Sequence, residues 1–140
     1  MGEKPQVGVG FGVLILNNRK QILLGKRNTG TNEIWTMPAG RINFSEGLEE
    51  AAARKTQAET GLVVDLDHLK IISLSNDIMP DSHYVTVGFR CTDFTGEPRV
   101  IQPEKMKEWK WFELDGLPQP LFKPSAEIIE NFLHDRLYQR

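Results

Sequence analysis

Apolar residues first gather in Val7 to Leu16, interleaved with Gly8, Gly10 and Gly12, and gather again in Gln21 to Lys26 beyond Asn17-Asn18. Asparagine supplies turn chemistry, so the two runs read as strands joined in a hairpin. The glycines alternate, which puts them on one strand face and predicts close backbone packing there. A dinucleotide loop is a poor alternative, because Val13 to Leu16 continues a strand where that loop would open a helix.

A polar loop, Asn28 to Glu33, is followed by Ile34 to Met37 and by Pro38-Ala39-Gly40. Leu48 to Thr60 is rich in Glu, Ala, Arg and Lys and predicts a helix, with Gly61 as its C-cap. Leu62 to Leu74 and His83 to Phe94 are rich in strand formers, and Trp109 to Phe112 is a short aromatic strand. Pro124-Ser125 begins a last helix, Ser125 to Tyr138, whose Ile128, Ile129, Phe132, Leu133 and Leu137 share one face. The order β-β-β-α-β-β-β-α predicts a single α/β domain over residues 1–140, with a mixed sheet between helices.

The chain has 140 residues, 39% hydrophobic and 26% charged, with formal net charge −2. One domain of ordinary globular composition is expected. The charge balance gives no footprint for duplex nucleic acid or a membrane surface, so an anionic ligand has to be held by local groups. The single cysteine, Cys91, excludes an intrachain disulfide and any multi-cysteine zinc site, and favours a reducing compartment. Val7 to Leu16 is too short to span a bilayer, the polar start carries no export signal, and Gln6 stands where a myristoylation signal wants Ser or Thr. A cytoplasmic location is expected.

Candidate chemistry concentrates between residues 40 and 62. Gly40, five residues, Glu46, seven residues and Arg54 lead into Lys55-Thr56-Gln57-Ala58-Glu59-Thr60-Gly61-Leu62. This block resembles the Nudix box, G-x5-E-x7-R-E-U-x-E-E-x-G-U with U a bulky apolar residue. Leu23 to Arg27, Trp35-x-Met37-Pro38-Ala39-Gly40 and Trp109-x-Trp111-Phe112 also stand where Nudix (MutT-like) proteins tend to have such residues. The resemblance covers nearly the whole chain and implies the Nudix fold. It implies hydrolysis of a nucleoside diphosphate linked to another moiety, with Mg²⁺ or Mn²⁺ held by box carboxylates and a loop carbonyl. A divalent cation offsets the charge of a diphosphate and orients the attacking water, and such hard cations take oxygen ligands.

Positions 55, 58 and 59 share one helix face at about 100° per residue. Here that face carries Lys55, Ala58 and Glu59, with a formal charge of zero, where the family usually carries three carboxylates. The resemblance therefore leaves Glu59, the carbonyl of Ala39 and Glu104 as ligands for one metal. Arg54-Lys55-Thr56-Gln57-Ala58-Glu59 looks like the box of the GDP-mannose mannosyl hydrolases, apart from Lys55. That branch uses one metal and attacks the sugar carbon. It implies Arg27, Arg41 and Tyr84 as substrate-binding residues, with Glu59, Arg54 and Glu46 in the catalytic box. Its Gln-His pair is missing, because none of the three histidines falls between Pro103 and Lys107, and the general base stays unassigned. Gln102-Pro103-Glu104-Lys105 and Trp109-Lys110-Trp111-Phe112 instead look like the nucleoside triphosphate pyrophosphatases of the family.

Beside these roles stand plainer ones. Glu46 and Arg54 suit a loop-anchoring ion pair, and Glu49 and Glu50 suit the helix dipole. Lys55 is either a surface lysine or a phosphate contact in place of a cation. Tyr84 and Phe89 fall on opposite strand faces, so at most one faces a ligand. His83 fits a hydrogen-bonded strand end, and Trp35, Trp109 and Trp111 fit the core. The expected partner is a nucleotide or nucleotide sugar. The competing expectation is a non-catalytic nucleotide-binding or sensor module, and a homodimer is suggested only by the habits of the resembled family.

Overall fold

Gly12 and Gly88 lie side by side in a parallel strand pair, and the sheet that positions the site is built around that contact. The computed structural model describes residues 4–30 and 33–140, so Met1 to Glu3 of the polar start and positions 31 and 32 of the loop lie outside it. Strand β1 (Gly8–Ile15) pairs antiparallel with β4 (Ala39–Arg41) and parallel with β7 (Ser82–Cys91). Beyond β7 runs β6 (Lys70–Met79), giving a mixed sheet in the order β4-β1-β7-β6. A second sheet has β2 (Gln21–Arg27) between β3 (Trp35–Thr36) and β9 (Met106–Glu113). Strands β5 (Val63–Val64) and β8 (Phe94–Thr95) form a short ribbon.

The expected turn at Asn17 is present, but the expected hairpin is not. Asn17 Oδ1 accepts the Arg19 and Gln21 amides at 3.0 and 2.9 Å, and Lys20 takes φ 59°. After it β1 and β2 part into different sheets, joined only by a bridge between Leu16 and Ile22. β1 is buried on both faces from Gly10 to Ile15 and β2 from Ile22 to Gly25, so each gains more by pairing between other strands than with the other.

Helix α1 (Leu48–Thr60) has the predicted bounds, and Gly61 ends it at φ 81°, where glycine carries no Cβ penalty. Ala51 and Ala52 bury α1 against Phe11, Val13, Ile15, Val87 and Phe89. Helix α2 (Lys123–Leu133) covers the opposite face through Ile128 and Ile129, packed with Leu14, Ile22, Leu24 and Met37. The mixed sheet between two helices is thus as expected. The glycine face is a packing face: a Cβ on Gly12 would lie 2.7 Å from Ile128 Cδ1, and one on Gly88 would lie 2.8 Å from Ile128 Cγ1.

Helix α2 stops five residues before the predicted Tyr138. Buried Asn131 donates to Ser73 Oγ at 2.8 Å and to the Leu137 carbonyl at 3.0 Å, while its Oδ1 accepts from Arg136 Nε. Asp135 takes φ 50°, and the Leu137 carbonyl also accepts the Leu74 amide at 2.8 Å. The tail therefore turns back onto the outer edge of β6 instead of continuing the helix. Strand β6 itself runs past the predicted end at Leu74 to Met79, because Ser73, Ser75 and Asp77 are buried under α2 in place of apolar residues.

Candidate functional site

The peptide Pro38-Ala39-Gly40 is clamped between strand and helix. Val13 donates to the Pro38 carbonyl at 2.8 Å, Ala39 and Gly40 pair with Gly12 and Phe11, and the Ala39 amide donates to Glu59 Oε1 at 3.2 Å. Beside it opens a cleft of about 370 Å³, walled by Arg27, Ala39, Gly40, Arg41, Tyr84 and Phe122 among others. Its floor is the glycine face of β1, Gly10 to Gly12, and the first turn of α2 closes one side with Pro124, Ser125 and Ile128. Four of the predicted residues, Arg27, Ala39, Arg41 and Tyr84, thus meet in one place.

Arg27 is half-buried, with its guanidinium 4.3 Å from the centre of the Phe122 ring. Burial pushes its pKa down, and the Glu59 carboxylate opposes this. Arg41 Nη1 donates to the Tyr84 hydroxyl at 3.4 Å. Tyr84 faces the cleft while Phe89 is wholly buried on the other face, as strand alternation requires.

Glu59 is the only box carboxylate on the inner helix face. Burial pushes its pKa up, against the Ala39 N–H bond and the positive charges of Lys55, Arg27 and Lys105. The Trp109 indole donates to the Glu59 carbonyl at 3.0 Å, which fixes the end of the helix. Lys55 lays its stem across Gly40, where a Cβ would lie 3.0–3.1 Å from Cγ, Cδ and Cε. Any Cβ at position 40 would make that stem give way by a few tenths of an ångström.

Glu46 and Arg54 act on the loop. Arg54 Nε and Nη2 donate to the two Glu46 oxygens at 2.7 and 3.0 Å, Nη2 also reaches the Arg41 carbonyl at 3.3 Å, and Glu46 accepts the Asn43 amide at 2.9 Å. The hydrogen bond from Arg54, then that from Asn43, holds the Glu46 carboxyl below the usual range. Neither side chain lines the cleft.

Of the ligands expected for a metal, Ala39 lies beside Glu59, with its amide bonded to that carboxylate, and Glu104 is bonded to neither. Glu104 is exposed in the loop before β9, and no hydrogen bond or ion pair joins it to a described residue. Lys105 of the same loop is the member whose charge reaches Glu59. Among the described residues the one grouping of three metal-ligating side chains is Asp65, His68 and Asp93, beside the β5–β8 ribbon, and none of these lines the cleft. A hard divalent cation wants about six oxygens. One half-buried carboxylate among three cations is a poor fit to it.

The other histidine and thiol candidates are spoken for. His83 Nε2 lies 2.6 Å from Asn76 Oδ1. Cys91 is buried, and burial raises its pKa to about 11, which leaves a structural thiol. Trp35 packs edge-on to Phe112 at 5.0 Å, and Trp111 stacks on Phe94 at 5.9 Å. The sequence reading missed Phe122, Met79, Ser82, Thr86 and Ser125 on the cleft wall. An aromatic residue two positions before the helix-starting Pro124 was a signal for Phe122; the others depend on how α2 and the β6–β7 hairpin dock.

Residues 7–132 match the NUDIX domain. A solved structure of a MutT NUDIX hydrolase from Burkholderia pseudomallei superposes with TM-score 0.82 at 30% identity, covering 90% of this chain and 98% of that one. The NUDIX domain of Shewanella oneidensis NrtR, solved with ADP ribose, superposes with TM-score 0.73 at 20% identity, covering 95% of this chain and 89% of that one. An ADP-ribose pyrophosphatase from Methanocaldococcus jannaschii is 27% identical over 86% of this chain and 69% of its own length. An NAD-capped RNA hydrolase NudC from Escherichia coli is 27% identical over 88% of this chain, which spans only 45% of that relative.

Proposed function

The chain belongs to the NUDIX domain family, and from that premise we propose that its cleft binds a nucleoside diphosphate linked to another moiety and hydrolyses that linkage. The observation that carries this reading is the convergence of Arg27 and Arg41 with the Ala39–Gly40 backbone on one cleft. Two guanidiniums beside a glycine peptide offer planar donors to phosphate oxygens at a spot no bulky side chain blocks. ADP-ribose, the NAD cap of RNA and nucleotide sugars such as GDP-mannose share this diphosphate chemistry, whereas nucleoside triphosphates are the other class to test. In this reading Arg27 and Arg41 grip phosphate, Tyr84 borders the moiety beyond it, and the Glu46–Arg54 pair keeps the loop in shape.

Hydrolases of this family generally use Mg²⁺ or Mn²⁺. The depleted box favours slow turnover, and Lys55 on the metal-binding face favours a second reading, a nucleotide-binding or sensor module that does not turn over its ligand. Calorimetric titration with ADP-ribose, GDP-mannose and nucleoside triphosphates, followed by product analysis, tests both. Free sugar with nucleoside diphosphate marks attack at carbon, and nucleoside monophosphate marks attack at phosphorus. Binding without either product favours the sensor, and no binding at all removes the proposal. The buried single thiol suits a reducing compartment such as the cytoplasm.

A further inference from the structure

Resting on the nucleotide reading above, we infer that Lys55, lying against the Gly40 wall of this cleft, takes the place of the divalent cation, so that the ligand's diphosphate is bound without metal. Lys55 stands on the same inner face of α1 as Glu59, and its stem is pressed onto Gly40, one of the two backbone residues that wall the cleft. The contact holds the stem against the Gly40 backbone and removes part of the freedom that a solvated lysine keeps.

The charges near it are uncompensated. Three cations of the domain have carboxylate partners within 4.0 Å, Arg54 with Glu46, Lys26 with Glu33 and Glu108, and Lys107 with Glu33, and most of the rest among the described residues stand without one. Among the described residues neither Lys55 nor Lys105 has such a partner, and both act on Glu59 only from a distance. Arg27 is held in the same field by the Phe122 ring. Three cations converging on one half-buried carboxylate repel an incoming divalent ion, and they leave positive charge to receive an anion. Glu59, bonded to the Ala39 amide, then serves to keep the Ala39–Gly40 peptide in place.

The test is calorimetric titration of the full chain with ADP and with inorganic pyrophosphate, each in EDTA and in Mg²⁺. The expected result is binding as tight in EDTA as in Mg²⁺. Lys55→Met keeps the stem on Gly40 and removes the charge, and should weaken both ligands about 10- to 100-fold in EDTA, the range of a lost charge-assisted contact. Lys55→Glu should abolish binding in EDTA and restore part of it in Mg²⁺. Circular dichroism melts of each variant separate loss of binding from loss of fold. Binding by the natural chain only when Mg²⁺ is present overturns this inference and leaves the nucleotide reading standing, as does a Lys55→Met variant that binds like the natural chain. Failure of ADP and pyrophosphate to bind under either condition overturns both.

Discussion

Arg54 holds Glu46 through two parallel hydrogen bonds of 2.7 and 3.0 Å, with a third from the same guanidinium to the Arg41 carbonyl. One turn of helix thereby fixes the exposed loop that carries Phe44, whose side chain is fully exposed. Arg54 is exposed and Glu46 only partly so, and a pair open to solvent on one side matters more to the loop than to global stability. Arg54→Ala should leave the melting temperature nearly unchanged and accelerate chymotryptic cleavage after Phe44 several-fold, followed by mass spectrometry. Equal cleavage rates would show that the loop is held by other contacts.

The Gly88 backbone approaches α2 so closely that an added Cβ meets Ser73 Cβ at 2.7 Å and both Ile128 γ-carbons below 3.0 Å. These atoms sit next to the backbone in buried side chains and, unlike flexible chain ends, cannot swing aside. Gly88→Ala should destabilise the domain by about 1–3 kcal/mol in urea unfolding, as overpacking does. Gly12→Ala meets the Ile128 Cδ1 and Met37 Sδ ends instead and should cost less. Adding Ile128→Val should recover part of the Gly12→Ala loss and give a favourable coupling in a double-mutant cycle.

Asn131 satisfies three groups at once beneath β6, on Ser73, Leu137 and Arg136. Asn131→Ala should cost about 1–3 kcal/mol, because it leaves buried polar partners unmet. Amide exchange at Leu74 should quicken as the tail carbonyl is released. If Leu74 stays protected, the tail is anchored elsewhere.

Glu127 on α2 and buried Asp77 on β6 form an acid pair. Burial, then the Asp77 carboxylate, raises the Glu127 pKa to about 7, with Ser75 and Lys123 opposing. Burial also resists ionisation of Asp77, but neighbouring Glu127 and Thr86, the hydrogen bond from Ser75 and the Lys123 charge hold it below the usual value. A carboxyl raised from 4.5 in the unfolded chain favours the folded state while protonated. Its contribution is complete below pH 4.5 and is lost as pH rises through about 7. Glu127→Gln should flatten that part of the melting-temperature profile, and an unchanged slope would assign it to another group.

What the sequence made legible was local. Helix α1 could be bounded to the residue because the helix formers and the αL glycine lie in one stretch of chain. The Glu46–Arg54 pair and the cleft group Arg27, Ala39, Arg41 and Tyr84 came from spacing and resemblance, and the structure brings them together in those two sets. The partner of β1 was not legible, since Asn17 announces a turn but cannot say which strands flank β1. The second half of β6 was hidden by Ser75, Asn76 and Asp77, which look like loop until Asn131 and Glu127 supply their polar neighbours. Leu137 kept the helical period of α2 yet ended on a sheet edge, because Asn131 uses its amide to turn the chain. Glu104 was placed at the metal by resemblance, whereas its neighbour Lys105 is the residue whose charge reaches the box.

Because β1 is flanked by β4 and β7, with Gly8 opposite Tyr84 and Ile15 opposite Cys91, the first strand of the chain waits for one of the last. Parallel pairing over such a span has to close a long loop before any contact rewards it. During synthesis the buried run from Phe11 to Ile15 therefore leaves the ribosome unmatched, and no fragment ending before Cys91 can complete the central sheet. A chain terminated before Cys91 would leave this apolar strand exposed along the edge that β7 covers, which makes synthesis past that residue a condition for burying it.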